Sequence, residues 1–250
     1  VSKAIEWGFK ESNIFPFSEN IGGRYSLWSS VGLPIIFSVG EYNFKEFLNG
    51  ASEIDDHFFN EDIERNIPII LALLRIWNRN FLNRNSHCIV PYSNRLKTLP
   101  SWAQQLEMES LGKSIDRDTG QALSYDTGSI VWGGYGPRSQ HSFFQHLFQG
   151  TKEANTYFIV SKTDNLNFKQ FKGQTRSLIS GNDNELDPHK NVTKRRFSSL
   201  VLEDLSPESI GELIAIWENK TIFMSMFWNI NPFDQWGVEL GKINTKKEIE

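Results

Sequence analysis

Cysteine is all but absent: Cys88 is the single one among 250 residues. No internal disulfide is possible, and a reducing compartment is the default expectation. Its neighbours Ile89 and Val90 mark it as a thiol in a buried strand rather than a nucleophile. Long apolar runs are missing too, and none approaches the roughly 18 residues that a membrane span needs. The amino terminus, Val1 to Lys10, has neither the apolar core nor the cleavage site of a secretory signal. A cytoplasmic location is the resulting expectation. Basic excess is lacking as well, since a formal charge of −4 leaves no field to draw nucleic acid or an anionic membrane. There is no internal repeat and no low-complexity tract.

What is present is an ordinary globular balance, 39% hydrophobic and 22% charged. A chain of 250 residues suits one large domain or two modest ones and can bury a sizeable core without staples. Aromatics are plentiful: 19 Phe and 8 Trp point to a well-filled interior or a large interface. Lys190, Lys194, Arg195 and Arg196 cluster in what reads as a solvated loop.

Short apolar strands alternate with helical stretches. Ile67 to Leu82 is apolar on most faces and predicts a buried helix, with Pro68 in its first turn. Cys88-Ile89-Val90 is a strand closed by Pro91, and Ser101 to Glu109 is a helix that Gly112 would cap in the left-handed conformation. Ser129 to Trp132 predicts a second strand, ending in the turn Gly133-Gly134-Tyr135-Gly136-Pro137, and His141 to Phe148 an aromatic-rich helix. Thr156 to Val160 and Ser198 to Leu202 are further strands. Ser206 to Trp217 opens on a Ser-Pro-Glu start signal and has helical spacing in Ile210, Leu213, Ile214 and Trp217. Asn182 to Lys194 reads as a surface loop, and Leu27 to Val39 is a helix-like stretch interrupted by Pro34. The pattern is that of an α/β fold with a parallel sheet covered on both faces. In such sheets ligands sit beyond the carboxyl ends of the strands, which directs attention to the Gly-rich turn after Trp132 and the loop after Pro91.

Four segments hold residues suited to chemistry. Gly22-Gly23-Arg24-Tyr25-Ser26 sets a permanent multi-donor cation beside glycines, suited to developing negative charge, although a glycine turn beside a surface Arg looks the same. Gln105 and Glu109 lie one above the other on a helix, either a base with its orienting partner or a solvated face. Gln140-His141-Ser142 follows the Gly-rich turn at a helix start, where a histidine either moves protons or packs. His57, His87, His146 and His189 lack such a setting and read as structural. Near the end, Phe233-Asp234-Gln235-Trp236-Gly237-Val238-Glu239-Leu240-Gly241-Lys242 joins a loop to a helix start, with Lys242 either functional or on the surface.

Together, and in this order, the four segments resemble the glucose-6-phosphate isomerase family. GGRYS, preceded by Glu19-Asn20-Ile21 and followed by Leu27-Trp28-Ser29, resembles the family's first signature, and FDQWGVELGK its second. Between them QLEMESLGKS resembles the segment bearing the catalytic glutamate and SQHSFFQ that bearing the catalytic histidine. Pro188-His189-Lys190 is similar to the stretch ahead of the last strand. The resemblance runs from about Lys3 to Lys242. It implies a doubly wound, flavodoxin-like sugar-isomerase domain with a sheet of about five strands. It divides the chain into an opening helical segment with the GGRYS loop (1–55), the α/β domain (56–232) and a closing segment (233–250). Glu109 would be the base of a cis-enediol mechanism, and Arg24 with the backbone of Gly23 would stabilise the enediolate. His141 and Lys242 would assist ring opening, and Gln105 and Gln235 would hold the substrate. The family's histidine comes from a neighbouring subunit, so a homodimer acting on glucose 6-phosphate and fructose 6-phosphate is implied, with no metal or organic cofactor.

The inventory fits the chemistry: a positioned carboxylate for a proton alpha to a carbonyl, and a fixed cation for the enediolate. There are departures. Leu111 stands where the family usually has Asn, and the turn reads GGYGPRS where many members have an acidic residue and a Thr in place of Gly134 and Pro137. The family's phosphate-gripping Ser/Thr loop belongs to an N-terminal domain, and the family usually continues a few dozen residues beyond Lys242. The expectation is therefore the catalytic C-terminal half of such an enzyme. The alternative is a phosphosugar-binding sensor, against which stands the set Arg24, Glu109, His141 and Lys242.

Overall fold

The apolar strand runs pair side by side and in parallel. The computed structural model describes residues 1–183 and 186–249. In chain order these form helices α1 (Ser2–Glu6), α2 (Leu33–Val39), α3 (Glu41–Asn60) and α4 (Ile67–Ile76), strand β1 (Ser86–Pro91) and helix α5 (Leu99–Leu111). Strand β2 (Ile130–Gly133), helices α6 (Gly136–Ser139) and α7 (Phe144–Gln149), strand β3 (Asn155–Ser161) and helix α8 (Asn165–Ser180) follow. Strand β4 (Phe197–Leu202) and helices α9 (Pro207–Phe227) and α10 (Glu239–Ile249) complete the order.

The sheet runs β2-β1-β3-β4 with every pairing parallel, the flavodoxin-like arrangement. It has four strands among the described residues, where about five were expected. Side chains alternate across it. Cys88, Val90, Phe158 and Val160 face Phe144 and Leu147 of α7 and Phe171 and Leu178 of α8. Ile89, Val131, Tyr157 and Ile159 face Ala103 and Leu106 of α5 and Leu213 and Trp217 of α9. Both faces are covered, which is why β1 and β3 read as unbroken apolar runs.

Helix α9 starts where Ser206 predicts, its hydroxyl accepting from the Ser209 amide at 3.2 Å. It runs on to Phe227, well past Trp217. Helices α3 and α9 cross closely enough that their backbones touch. A Cβ on Gly50 would lie 2.1 Å from the Glu208 carbonyl oxygen, and one on Gly211 2.0 Å from that of Phe47. Helix α3 spans residue 55, so the opening segment shares this packing.

Several local expectations give way to tertiary context. The helix over Ile67 to Leu82 is capped by Asn66 and has Pro68 in its first turn, but it ends at Ile76 and continues as a π-turn over Trp77–Phe81. Ile67, Leu74, Trp77 and Phe81 are exposed, because an all-round apolar pattern does not say which face is covered. Gly112 is not left-handed, with φ −77° and ψ 61°. A Cβ there would meet the Met108 carbonyl oxygen at 2.5 Å, so close approach is what requires the glycine. His141 does not open a helix: it lies in the turn between α6 and α7, since Gly136–Ser139 take up the helical turn first. Arg195 is no solvated loop residue either, for its half-buried guanidinium binds Glu153 at 3.0 Å and the Gly150 carbonyl. Asn184 and Glu185, within the Asn182–Lys194 loop, lie outside the described residues.

Candidate active site

Arg24 is the centre of the only place where three of the four chemistry-bearing segments are seen to meet among the described residues. The 3-10 turn Gly23–Trp28 delivers its side chain inward, leaving that side chain 3% exposed. Every arm of the guanidinium has a partner. Nε donates to Ser110 Oγ at 2.8 Å, and one terminal nitrogen donates to Glu109 Oε2 at 3.3 Å and Gln235 Oε1 at 2.9 Å. The other donates to the carbonyls of Pro232 and Asp234, the latter at 3.0 Å. A buried guanidinium is tolerated when its fork is filled in this way. Tyr25 adds to the wall: its hydroxyl is 2.9 Å from Ser110 Oγ, and burial pushes it up to about 12 against the opposing pull of Ser110 and Arg24.

Glu109 sits in the last turn of α5, with its side chain 34% exposed and held, among the described residues, by the long contact to Arg24. It lines an open cleft of about 740 Å³ together with Lys113, Asn231, Asp234, Gln235 and Trp236. Gly23 and Gln105 line a separate hollow of about 250 Å³ with Arg24, Trp102 and Leu106. Glu109 and Gln235 thus stand in one recess, and Gly23 and Gln105 in the next, with Arg24 bonded into the first and lining the second.

The fold-level rule for ligand location does not describe this cluster. Helix α5 leaves the carboxyl end of β1 and returns to the start of β2, with Gly128 donating to the Leu111 carbonyl. Glu109 therefore lies toward the amino ends of the strands. His141 follows the Gly-rich turn at the carboxyl end of β2, is exposed, and lines a hollow with Phe144, Phe148 and Gln174 in the layer across the sheet from α5. Lys242 is exposed on α10 and pairs with Glu239 at 2.7 Å. Of the residues singled out from the sequence, Arg24, Glu109 and Gln235 are brought together, Gly23 and Gln105 adjoin them, and His141 and Lys242 stand apart.

Three participants were not anticipated. Ser110 receives Arg24 Nε, Asp234 gives its carbonyl to Arg24, and Lys113 donates to the carbonyls of Glu109 at 2.6 Å and Asp234 at 2.7 Å. The available signal was spacing: Lys113 follows Glu109 by one helical turn, and Asp234 adjoins Gln235.

Comparison with known proteins gives concordant matches. The family model described as "Phosphoglucose isomerase" matches residues 1–250. The chain is 44% identical over 249 residues to glucose-6-phosphate isomerase 1 of Chromohalobacter salexigens, covering 96% of this chain and 45% of that protein. It is 43% identical over 267 residues to the glucose-6-phosphate isomerase of Acinetobacter baumannii, covering 96% and 48%. Among solved structures, a glucose-6-phosphate isomerase from Chlamydia trachomatis superposes with a TM-score of 0.88 at 38% identity, covering 93% of this chain and 48% of that one. A Thermus thermophilus protein described as hypothetical superposes with a TM-score of 0.80 at 26% identity, covering 99% and 59%. The chain spans about half the length of the curated relatives it matches.

Proposed function

The chain belongs to the phosphoglucose isomerase family, and on that premise we propose that it carries the base-bearing half of an enzyme interconverting glucose 6-phosphate and fructose 6-phosphate. The observation that carries the reading is the convergence of Arg24, Glu109 and Gln235, separated by 85 and 211 residues of sequence, on one guanidinium.

In the open-chain aldose, the Glu109 carboxylate takes the proton from C2 while the electron pair forms the C1–C2 double bond. The C1 oxygen gathers negative charge beside Arg24, whose cation is already in place and buried, so little reorganisation accompanies the step. The C2 hydroxyl proton then passes to the C1 oxygen, and the proton held by Glu109 is delivered to C1 as the C2 carbonyl forms, which gives the neutral ketose and restores the carboxylate. The 3.3 Å contact between Arg24 and Glu109 is the longest of the guanidinium's bonds and the one that a substrate oxygen would open. Gln235, held by the same nitrogen, and Gln105 across the guanidinium orient the sugar, and the backbone of Gly23 assists Arg24.

His141 and Lys242 are assigned to ring opening. His141 belongs to the other layer and the other end of the sheet from Glu109, which supports its serving the site of a second copy in a homodimer. Among the described residues Lys242 is engaged by an exposed ion pair with Glu239, a bond of little strength that leaves the ammonium able to reorient. The phosphate contacts are placed in the part of the relatives that this chain does not match. No helix among the described residues is long and apolar enough to cross a membrane; a cytoplasmic location follows from the isomerase reading.

The test is a coupled fructose-6-phosphate to glucose-6-phosphate assay on the complete protein beside Glu109→Gln. Turnover that falls at least a thousandfold in the variant is expected if the carboxylate is the base. Retained phosphosugar binding with no turnover in the unaltered protein would leave a sensor in place of an enzyme.

A further inference from the structure

Lys113 sits one turn beyond Glu109, where a lysine ordinarily reaches into solvent and touches its own helix end. Here its side chain is 16% exposed and its ammonium has two sets of partners. One is the end of α5, through the Glu109 carbonyl at 2.6 Å. The other is 121 residues away: the Asp234 carbonyl at 2.7 Å, with the Asp234 carboxylate at 3.4 Å. The same Asp234 carbonyl also accepts from Arg24 at 3.0 Å, and the other Asp234 carboxylate oxygen accepts from Asn231 at 2.8 Å. Two cations thus share one carbonyl on the loop whose next residue is Gln235. Partial burial lowers the ammonium's proton affinity, and Asp234 works against that loss.

We propose that Lys113 is a positioning residue that locks the 231–235 loop onto the end of α5, setting Gln235 against Arg24 and keeping the Asp234 carboxylate from competing with Glu109 for the guanidinium. Its consequence for turnover rests on the isomerase reading; the lock itself does not. The geometry explains why a helix terminus and a distant loop can form one rigid recess. The Glu109 carbonyl near the end of α5 and the Asp234 carbonyl of the loop both accept from the Lys113 ammonium, so one group with three donors serves two elements.

The test uses the complete protein, with Lys113→Met, Lys113→Arg, Gln235→Ala and the Met–Ala double variant. Hydrogen exchange is read at the amides of Phe233 and Val238, which are bonded to Asn231 and to the Gln235 carbonyl. In Lys113→Met these are expected to exchange at least tenfold faster while the amides of β1 and β3 stay protected. In the coupled assay, Lys113→Met is expected to lose about ten- to a hundredfold in kcat/KM, and Lys113→Arg to recover at least half of that loss on a logarithmic scale. Adding Gln235→Ala to Lys113→Met should cost no more than threefold beyond the worse single variant, because both act through one loop. Unchanged exchange at Phe233 and Val238 in a folded Lys113→Met overturns the lock whatever the activity, and so do kcat/KM losses that multiply. If the unaltered protein shows no turnover, the isomerase reading fails and the exchange result alone decides the lock.

Discussion

Helix α5 presents two carboxylates two residues apart, and they live in opposite conditions. The Glu107 side chain is 1% exposed and takes three bonds of 2.8 Å, from Arg75, Lys220 and the Trp217 indole. Burial alone would raise its proton affinity, but Lys220 and Arg75 outweigh that and hold the carboxyl well below the usual range. Lys220 in turn is pulled down to about 8 by burial, with Glu107 opposing the shift. The Glu109 side chain is 34% exposed and has one long bond. A carboxylate locked among buried cations cannot exchange a proton during turnover, whereas one on the wall of a cleft with a single replaceable partner can. On a helix, positions i and i+2 point to different sides, so one element is anchored through Glu107 and offers Glu109 without conflict.

The contrast breaks most severely at Glu109 itself. Glu109→Gln is expected to cost at least a thousandfold in kcat while thermal unfolding moves by no more than a few degrees. A comparable loss of Tm would make Glu109 a structural residue like its neighbour. The reverse is expected at Glu107. Glu107→Ala leaves Arg75 and Lys220 buried without their counter-charge, and urea unfolding should show a loss of roughly 3–5 kcal/mol. A loss under about 1 kcal/mol would mean that the cluster does not anchor α5.

A third carboxyl sharpens the comparison by lying between these extremes. Glu218, 8% exposed, accepts from the Trp28 indole at 2.7 Å and makes no ion pair among the described residues. Burial raises its proton affinity to about 7, the Trp28 bond opposes this, and Asp55 adds to it. Its folded value is above the unfolded one, so the native state binds the proton more tightly. The stabilising contribution is complete below about pH 4.5 and is lost as pH rises through about 7. Glu218→Gln should therefore be more stable than the unaltered protein at pH 8 by roughly 2–3 kcal/mol relative to their difference at pH 4.5. Parallel stability curves over that interval would contradict it. The smallest effect is expected at the start of α9, where Ser206→Ala removes the hydroxyl that accepts from Ser209 and should cost about 1 kcal/mol in denaturant unfolding.

Residues whose environment is local were legible in advance. The Cys88-Ile89-Val90 run is a fully buried strand, and Pro68 and Ser206 mark the helix starts they imply. The identity of Arg24, Glu109 and Gln235 as a set was readable through the resemblance of their segments, and the structure brings those three together. Lys113 was not legible as more than a surface lysine, because its second partner is 121 residues away. Gly112 misled for a related reason: glycine at a helix end signals either a left-handed turn or a close approach, and only the position of the Met108 carbonyl distinguishes them. The end of the sheet that holds the cluster also went against the general rule, since the rule concerns loops after strands and Glu109 sits at the far end of the helix that such a loop begins.

By itself the sequence determined what short-range physics controls: apolar runs that must be buried on two faces, helix starts set by Ser and Pro, and the chemical types gathered in four segments. The tertiary structure decided which of those segments share a recess, that His141 lies in the layer across the sheet from α5, and which of two neighbouring glutamates is sealed in. The physical reason is that burial and charge pairing depend on what distant elements bring to within about 3 Å of an atom. No local pattern specifies that neighbourhood until α5, α9 and the 231–235 loop have packed.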